Sequence, residues 1–556
     1  MDKLDISNPL HCKYENNSQW KPGSAHMSHD MRGLRQGDPL SPLLFVLAME
    51  PLNGLFRLAE RKEVLGSLGA SCIQERIFLY ADDVILFSSP NEKDLAATVT
   101  ILEIFAQASG LRINPNKCAI TPIQCGLAET AELLRFLPGS LQAFPIRYLG
   151  IPLSVHKLKK SDLQPLVDRV VAGLPTWKAG LMTKAGRAVL VKVKMSAVPV
   201  HTAIAISISP WVIKCIDKRR RAFLWRGMET VSGGHCALSW PKVVRPTELG
   251  GLGLPDLQLQ GFALRMRWLW HQRTDPNRPW SLLPERPEKL VQAMFHASTS
   301  VQVGNGLRTL FWTDRWIQGR SIAETAPALW NAVRPAARNH RTVAQGLLNR
   351  AWVRDITGAL TVQVLIEYLQ VWNLVQNQTL YDQVEDHFLW KWTANHQFTT
   401  ASAYQAFFIG QHAIQGAKLL MKTKAPGRCK FFIWLVLHDR CWTAERRKRH
   451  NLQVDDSCSA CLQLPETISH ILIGCVFARE VWSTLLRRWN LNRLTPQPAQ
   501  DEFVNWWQQS RKQIRREDRK AFDTLVVLTS CYCGEQGMIE FSNEKLLRFM
   551  RWSHKC

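Results

Sequence analysis

Two adjacent carboxylates, Asp82 and Asp83, lie between the apolar runs 77–81 and 84–87. Apolar neighbours raise the cost of keeping both acids charged. Aspartate is common in turns, so the pair could simply mark the end of a hairpin. A divalent cation would relieve the repulsion, and oxygen ligands suit Mg²⁺ better than Zn²⁺. Two such ions can activate a 3′-hydroxyl and stabilise a leaving pyrophosphate, if a third carboxylate and a phosphate-binding element are present.

A segment with two glycines and two arginines precedes the acid pair. Residues 32–42 read Arg-Gly-Leu-Arg-Gln-Gly-Asp-Pro-Leu-Ser-Pro. The glycines would let the backbone approach a ligand closely, and the arginines could contact phosphate. The segment leads into an apolar helix, whose N-terminal dipole favours anions. It therefore predicts a phosphate-side element, although a basic surface loop capping a helix would have the same composition.

Near the C-terminus, three cysteines and a histidine fall within a short stretch. They are Cys458, Cys461, His470 and Cys475. Three thiolates and one imidazole suit a closed tetrahedral zinc site. The alternative is a set of buried, reduced cysteines. His438 and Cys441 are close enough in sequence to substitute as ligands, whereas Cys531 and Cys533 suit chelation less well because a single residue separates them.

The elements that would position these groups alternate between helix and strand. Apolar spacing predicts a helix over 42–58, a strand-turn-strand over 77–87 and a second amphipathic helix over 95–108. Residues 114–117 predict a turn, and residues 147–153 predict a short strand or hairpin. The pattern favours an α+β fold for roughly the first 155 residues.

From 156 to 300 the sequence becomes helical and basic. A helix is predicted from Thr183, and the run Arg219, Arg220 and Arg221 follows it. Trp177, Trp211 and Trp225 lie among these cations and could stack on bases, although most of them are better explained as core residues. Three consecutive arginines cannot all face a core, so part of that run is expected to be solvated or bound to anions.

The composition of the 556-residue chain is that of a globular protein with roughly three or four domains. Its net charge of +24 indicates a polyanionic partner such as nucleic acid. No secretory signal is visible, and the longest uncharged run, 195–213, contains two prolines and polar residues. We therefore expect no membrane partner, no secretion and reduced thiols. The sequence does not choose between nucleus and cytoplasm, and it leaves the oligomeric state open.

Four motifs in order give the acid pair a family context. RGLRQGDPLSPLLF, YADDVILF, SGLRINPNKC and RYLGIPL resemble the reverse transcriptase of plant non-LTR (LINE-type) retroelements. The resemblance implies a right-hand polymerase palm that uses an RNA template, a DNA primer and deoxynucleoside triphosphates, with two Mg²⁺ ions. It implies metal binding by Asp82 and Asp83. It further implies nucleotide contacts by Arg35, Gln36, Gly37 and Lys117, and a primer grip at Tyr148, Leu149 and Gly150.

The family's remaining metal ligand is an aspartate in an earlier Leu-Asp-Ile motif. Asp5 of Lys-Leu-Asp-Ile-Ser matches it, but the residues that follow depart from the family pattern. Only 31 positions separate Asp5 from Gln36, where the family has a longer palm and fingers stretch. Asp5 is therefore expected either to complete the metal site or to belong to a disordered terminus of a truncated or wrongly joined frame.

The resemblance continues beyond the palm. LPTWKAGLMTKAGRAVLVK, IDKRRRAFLWRG and ELGGLGLPDL resemble the region after the polymerase, and the segment from KFFIWLVLHDRC to ISHILIGCVFAREVW resembles the family's zinc-binding segment. We therefore expect a partial palm at 1–155, a basic thumb-like region at 156–300, a Trp-rich connection at 301–395, a zinc-binding segment at 396–485 and a basic tail at 486–556.

Three hypotheses result. The first is an RNA-directed DNA polymerase fragment that uses Mg²⁺, with Zn²⁺ in the later segment. The second is a catalytically inactive remnant that still binds nucleic acid. The third is a zinc-dependent interaction protein whose charge keeps it soluble.

Overall fold

The computed structural model describes residues 8–15 (as backbone), 38–68, 75–123, 125–126, 137, 139–172, 179–275, 278, 288–498 and 502–536. The chain divides after Leu163 into two compact units, Met1–Leu163 and Gln164–Cys556. The first unit carries the acid pair, and the second carries the cysteine cluster.

The first unit combines a sheet with helices. Its strands are β1 (Asn8–Glu15), β2 (Ile77–Tyr80), β3 (Asp83–Ser88), β4 (Arg112–Ile113), β5 (Ala119–Ile120), β6 (Ser140–Leu141), β7 (Ile146–Tyr148) and β8 (Ile151–Leu153). Its helices are α1 (Ser41–Arg61), α2 (Glu92–Ser109), a 3₁₀ turn (Pro115–Lys117) and the start of α3 (Lys160–Ala172). The strand order is β2-β3-β1-β5-β6, with β4 also paired to β1 and β7–β8 as a separate hairpin. The predicted α+β class is confirmed.

The ends of α1 and α2 follow from local sequence. Pro42 stands in the first turn of α1, where its missing N–H leaves no helical bond unmade. The Asn91 side chain accepts a hydrogen bond from the Asp94 backbone N–H at 2.7 Å and caps α2. Gly110 ends α2 with φ of 74°. The helices predicted over 42–58 and 95–108 are confirmed, each with a few more residues.

One face of the β2–β3 hairpin packs against both helices. Ile77, Val84 and Leu86 project into this core. The core residues from the helices are Met49, Leu52, Phe56, Ala59, Leu95, Ile101 and Phe105. Because side chains alternate along a strand, the opposite face of the hairpin is left to carry Asp83.

A buried arginine ties the hairpin to the two helices. The Arg76 side chain is 1% exposed, and its Nε lies 2.9 Å from Glu60 Oε1 in α1. Its Nη1 lies 3.8 Å from Asp94 Oδ2 in α2 and donates to the Phe87 carbonyl in β3 at 3.3 Å. Its Nη2 donates to the Gly66 carbonyl. This guanidinium therefore fixes the base of the hairpin.

Two helical segments, Ser41–Arg61 and Lys184–Ala205, are long and apolar enough to cross a membrane by length and composition alone. The core helix of a soluble protein passes the same test, and α1 buries part of its length in the core just described. The N-terminal half of α1 exposes Leu43, Val46 and Leu47. The expected absence of a membrane partner stays a prediction.

The second unit is mostly helical. Its helices up to residue 375 are the rest of α3, α4 (Lys184–Leu190), α5 (Val198–Ala205), α6 (Pro210–Arg226), α7 (Trp240–Val243), α8 (Leu257–Thr274), α9 (Lys289–Ser298), α10 (Ile322–Thr325), α11 (Pro327–Ala332), α12 (Pro335–His340), α13 (Val343–Leu347) and α14 (Val362–Val375). A π-helical turn (Val191–Met195) follows α4, and 3₁₀ turns occupy Gly233–His235, Thr247–Leu249 and Leu348–Asp355.

The remaining elements carry the cysteine cluster and the basic end. The helices are α15 (Thr400–Ala406), α16 (Ala417–Lys422), α17 (Gly427–Leu437), α18 (Ala444–Arg449), α19 (Val476–Arg488), α20 (Phe503–Lys512) and α21 (Arg519–Gln536). A π-helical turn (His470–Gly474) precedes α19, and a 3₁₀ turn (Asn492–Leu494) follows it. Strands β9 (Thr299–Gln302) and β10 (His387–Trp390) form an antiparallel pair.

A tryptophan-rich core forms around β9 and β10. Trp312, Trp352 and Trp390 are at most 1% exposed, and the cluster runs from Phe262 to Ala403. The predicted divisions at 300 and 395 both fall inside this core. The five predicted domain ranges stay predictions.

The buried carboxylate of Asp386 holds one loop of this core. It accepts hydrogen bonds from the backbone N–H groups of Gly304, Gly306, Arg308 and Thr309, and from the Thr309 hydroxyl, at 2.8 to 3.0 Å. Burial raises the pKa of Asp386, but these hydrogen bonds outweigh burial and lower the pKa below its ordinary value. Asp386 therefore stays ionised and joins two segments about eighty residues apart.

Candidate active site and metal centre

The acid pair occupies the tip of the β2–β3 hairpin, as predicted. Tyr80 pairs with Asp83, so Ala81 and Asp82 form the two-residue turn. Ala81 has φ of 50°, a left-handed conformation that costs about 1 kcal/mol for a residue with a Cβ. This tight turn reverses the chain between the two strands and leaves Asp83 as the first residue of β3.

The face of the hairpin that carries Asp83 also carries exposed aromatic residues. Tyr80 lies directly opposite Asp83 and is 62% exposed, and Phe78 is 45% exposed. One carboxylate oxygen of Asp83, Oδ1, is shielded from solvent. The sequence motif draws attention to the acids but not to Tyr80 and Phe78, which share a face of the hairpin with Asp83. The alternation of side chains along β2 could have indicated this arrangement.

The β7–β8 hairpin lies close to Asp83. Leu149 and Gly150 form its turn with φ values of 47° and 79°, which matches the type I′ geometry that twisted hairpins favour. Burial raises the pKa of the Tyr148 phenol, and the negative charge of Asp83 raises it further. The hairpin predicted over 147–153 is confirmed, and it brings Tyr148 within electrostatic range of the acid pair.

Lys117 ends the 3₁₀ turn that separates β4 from β5 and is exposed. β4 pairs with Tyr14 and Glu15 of β1, and β5 pairs with its Leu10 and His11. Strand β1 lies between this segment and β3. Across the sheet, two strand spacings of about 5 Å each therefore separate the segment that carries Lys117 from the strand that carries Asp83.

The other predicted polymerase residues lie outside the described part of the chain. They are Asp5, Arg35, Gln36 and Gly37. The backbone register of β1 places Lys13 opposite Asp83. The residue that pairs with Asp83 in this register is therefore a lysine and not a third acid.

The four predicted zinc ligands come together in the second unit. The sulfur atoms of Cys458, Cys461 and Cys475 and a ring nitrogen of His470 all lie within 4.8 Å of one another. The Cys461 sulfur is 3.3 Å from His470 Nε2. Tetrahedral zinc with Zn–S bonds of about 2.3 Å needs sulfur atoms about 3.8 Å apart, so this donor set fits Zn²⁺. The cluster is the sole grouping of three or more such ligands found among the residues that the structure describes.

Two local turns position these ligands. The Cys458 N–H donates to the Leu464 carbonyl at 2.8 Å, and the Leu462 N–H donates back to the Cys458 carbonyl at 2.8 Å. This tight loop turns the Cys458 and Cys461 side chains to one side. At the other end, the Cys475 N–H donates to the His470 carbonyl at 2.7 Å across five residues, the bonding pattern of a π turn.

Burial and hydrogen bonds shift the pKa values of the cluster residues. Burial raises the pKa values of the Cys458 and Cys475 thiols, that of Cys475 to about 12. Burial acts on Cys461 as well, but backbone N–H groups of Gln463 and Leu464 outweigh it and lower the pKa of that thiol. Burial lowers the pKa of His470 and keeps its imidazole neutral, the form that binds metal. Buried thiols of this kind become thiolates when a metal ion supplies positive charge.

The substitute ligands considered from the sequence have other surroundings. The His438 Nε2 lies 2.8 Å from the Gly250 carbonyl oxygen, and Cys441 is buried apart from the four-residue cluster. Glu466, which the sequence did not single out, is 5% exposed beside the cluster and accepts a hydrogen bond from the Ala444 N–H at 2.8 Å. It attaches the cysteine cluster to the basic helix α18.

The basic middle region divides between core and surface. Arg220 is fully buried, with Nη1 2.6 Å from Asp217 Oδ1 and Nη2 donating to the Pro255 carbonyl. Arg219 is partly exposed and pairs with Glu229 at 3.4 Å. The expectation that the arginine run cannot lie wholly in the core is confirmed. Trp225 is buried, Trp211 is half-buried and Trp177 lies outside the described residues.

Comparison with known proteins identifies both regions. Residues 11–153 match the family described as reverse transcriptase (RNA-dependent DNA polymerase), and residues 398–482 match the family described as zinc-binding in reverse transcriptase. The chain is 26% identical over 362 residues to the Pol polyprotein of the type-1 retrotransposable element R2 of Nasonia vitripennis, covering 61% of this chain and 30% of that protein. The chain carries a reverse transcriptase segment of the non-LTR retrotransposon type.

Other relatives agree with this assignment of the reverse transcriptase segment. A 149 kDa protein of transposon TX1 of Xenopus laevis is 30% identical over 261 residues, covering 45% of this chain and 19% of that protein. An Arabidopsis thaliana protein that is named for ribonuclease H is 25% identical over 387 residues, covering 64% of this chain and 59% of that protein. The chain thus spans less than two thirds of the length of each of these relatives.

The two matched ranges contain the candidate site residues other than Asp5. The reverse transcriptase segment includes the acid pair, Lys117 and the turn at Leu149 and Gly150, and the zinc-binding range includes all four ligands. The assignment of zinc to the cysteine cluster therefore has support from both geometry and family.

Proposed function

We propose that this chain is an RNA-directed DNA polymerase of a plant LINE-type element, with a right-hand palm in its first unit. It would extend a DNA primer with deoxynucleotides on an RNA template. The observation that carries the proposal is the Asp82–Asp83 hairpin tip beside Tyr148, inside a segment that matches reverse transcriptase.

The donor chemistry of the tip fits Mg²⁺. Two adjacent carboxylates offer the hard oxygen ligands that this ion prefers, and the partly shielded Asp83 carboxylate is desolvated already. We propose Asp82, Asp83 and Asp5 as the residues that hold two Mg²⁺ ions. When bound, such ions polarise the primer hydroxyl and the phosphates of the nucleotide.

Substrate contacts would come from the elements around the tip. Arg35, Gln36 and Gly37 would line the nucleotide pocket, and Lys117 would neutralise or protonate the pyrophosphate. The Tyr148–Leu149–Gly150 turn would hold the primer end, since a rigid type I′ turn keeps a fixed position beside Asp83. These roles are supported by the family motifs and by the order of the strands.

The test is primer extension by the full chain on poly(rA)/oligo(dT) with Mg²⁺. We expect extension that is lost in Asp83→Asn, since the amide keeps the shape of the side chain but removes its charge. The control is Glu92→Gln, which neutralises an exposed acid at the start of α2 in the same unit and should extend as the unchanged chain does.

Folded protein that does not extend the primer would contradict the polymerase proposal. It would favour the second candidate, a nucleic-acid-binding remnant without an assembled active site. The observation that favours this candidate is the backbone register of β1 and β3, in which a lysine rather than a third acid pairs with Asp83. RNA binding that weakens steeply with salt is expected under both candidates.

The zinc-binding segment would add a nucleic-acid contact. α18 carries Arg446, Arg447, Lys448 and Arg449, and Arg446 lies 4.8 Å over the ring of the exposed Trp442. Three of these cations already pair with Glu466, Asp456 or Glu445.

An element of this kind would act on chromosomal DNA, so we propose a nuclear site of action.

A further inference from the structure

A tryptophan is held at the surface where α19 ends. Trp489 is 46% exposed, and no aromatic ring in the described part of the chain packs on it. The Leu491 N–H donates to the Leu486 carbonyl at 2.9 Å, and Asn490 has φ of 55°. This pattern is a Schellman cap, which fixes the backbone at Trp489. The indole is therefore exposed on a rigid support rather than on a mobile loop.

Exposed cations lie in the segments next to this indole. Arg493 donates from Nη2 to the Gln513 carbonyl at 3.3 Å, which brings the turn between α20 and α21 beside the end of α19. The exposed cations of these two segments are Arg487, Arg488, Arg493, Lys512, Arg515 and Arg516. We call Trp489 and these six cations the Trp489 patch. Two exposed acids, Glu517 and Asp518, adjoin it, so the patch keeps a clear positive excess.

None of the six cations forms an ion pair with a carboxylate among the described residues. Their neighbour Arg511, by contrast, pairs with Asp523 at 2.9 Å. The dipoles of α19 and α20 account for Arg487, Arg488 and Lys512, which lie in last turns. They account neither for Arg493, Arg515 and Arg516 nor for an exposed indole among cations.

We propose that the Trp489 patch binds single-stranded nucleic acid, with Trp489 stacking on an unpaired base and the arginines contacting the adjoining phosphates. An exposed indole with arginines in the adjoining segments supplies both parts of such a contact, a π-face for any base and positive charge for the backbone. In duplex nucleic acid the bases are already stacked, so the patch should prefer single strands. This contact goes beyond the polymerase chemistry proposed above and does not depend on the acid pair.

The test measures binding of the full chain to a fluorescent oligo(U) and to a blunt duplex of the same length, by anisotropy across a series of salt concentrations. We expect Trp489→Ala to weaken single-strand binding about tenfold, because stacking on one base contributes that much. Duplex binding should change less than about twofold. Trp489→Phe should retain most of the single-strand affinity, since a smaller ring still stacks.

The arginines have their own readout. Arg487→Gln with Arg488→Gln should reduce the slope of log affinity against log salt by about 0.7 for each phosphate that the protein no longer neutralises. For Trp489→Ala, the matched control is Trp392→Ala. Trp392 is a similarly exposed tryptophan, 39% exposed, just after the end of the β9–β10 pair. This control variant should leave both affinities unchanged.

Three results would overturn the proposal: unchanged single-strand binding in Trp489→Ala, equal losses of affinity for single strand and duplex, or an equal loss in Trp392→Ala. Sedimentation with vesicles of phosphatidylcholine and phosphatidylserine tests the competing anionic surface. The proposal would also be overturned if Trp489→Ala weakened binding to the vesicles but left binding to oligo(U) unchanged. Asp83→Asn should bind oligo(U) normally, which separates this interaction from the polymerase proposal.

Discussion

The cysteine cluster and the acid pair are assembled over different distances along the chain. All four zinc ligands fall within residues 458–475, and two hydrogen-bonded turns bring them to one point. Asp82 lies in a two-residue turn and Asp83 directly follows it. The hairpin that carries them is held at its base by Arg76, which reaches α1 and α2, and the proposed third ligand lies some 77 positions earlier. A locally built site keeps its geometry as long as its own segment folds, whereas a site drawn from distant segments depends on the whole unit.

The largest expected effect tests whether the acid pair is completed from a distance. If Asp5 is the third metal ligand, Asp5→Asn should lower primer extension roughly a thousandfold, because the metal loses a charged ligand in the transition state. The measurement is single-turnover extension with Mg²⁺. Asp2→Asn, which neutralises an acid three positions earlier, is the control. Extension by Asp5→Asn at the rate of the control would remove Asp5 from the site.

The second prediction concerns the cysteine cluster, whose zinc binding should depend on its own four ligands. Cys458→Ser in the full chain is expected to lower bound zinc from about one equivalent to less than half, because a hydroxyl is a poor substitute for a thiolate. Metal analysis by mass spectrometry gives the ratio. Cys236→Ser changes a half-buried cysteine outside the cluster and should retain the metal. A full equivalent in Cys458→Ser would count against a zinc site here.

Removing the long-range support of the hairpin should have an intermediate effect. Arg76→Met is expected to lower the free energy of unfolding of the first unit by about 3–5 kcal/mol, because it leaves the buried Asp94 carboxylate without its cation. Arg57→Met, which breaks an exposed pair with Glu75, should cost about 0–1 kcal/mol. Denaturant unfolding measures both. Equal losses of unfolding free energy in the two variants would mean that Arg76 does not position the hairpin. Neither variant should change the zinc content of the protein.

The smallest expected effect concerns strain in the β7–β8 turn. Leu149 has φ of 47°, so Leu149→Gly should stabilise the first unit by about 1 kcal/mol. The same change at Leu141, an exposed position in β6, should destabilise by about 0.5–1 kcal/mol because glycine weakens a strand. Thermal unfolding distinguishes the two. A loss of stability in Leu149→Gly would show that side-chain contacts of Leu149 outweigh its backbone strain.

The contrast in distance also explains what the sequence could predict. The β2–β3 hairpin, α1 and α2 follow from apolar periodicity, capping residues and turn chemistry, all of which act over a few residues. The spacing of the four cysteine and histidine residues predicts a zinc site, and the structure brings their donor atoms together. Signals of this kind are complete within a short window of sequence.

Long-range partners were not predictable in the same way. The burial of Arg220 depends on Asp217 and on a carbonyl at Pro255, and nothing in the run of arginines indicates which of them turns inward. The ion pairs of Arg76 likewise join three elements. The Trp-rich stretch offered no chemistry to a reader of the sequence, since its order comes from side chains that meet only after folding.

Asp386 has a consequence for how this protein can be divided for study. Its carboxylate is the acceptor for five donors located between Gly304 and Thr309. A recombinant piece that stops anywhere from residue 310 to residue 385 would contain those donors but not their acceptor, and each would lose its partner in a site built to exclude water. Expression of the tryptophan-rich portion alone should therefore start before Phe262 and continue past Ala403, whatever boundaries a family alignment suggests.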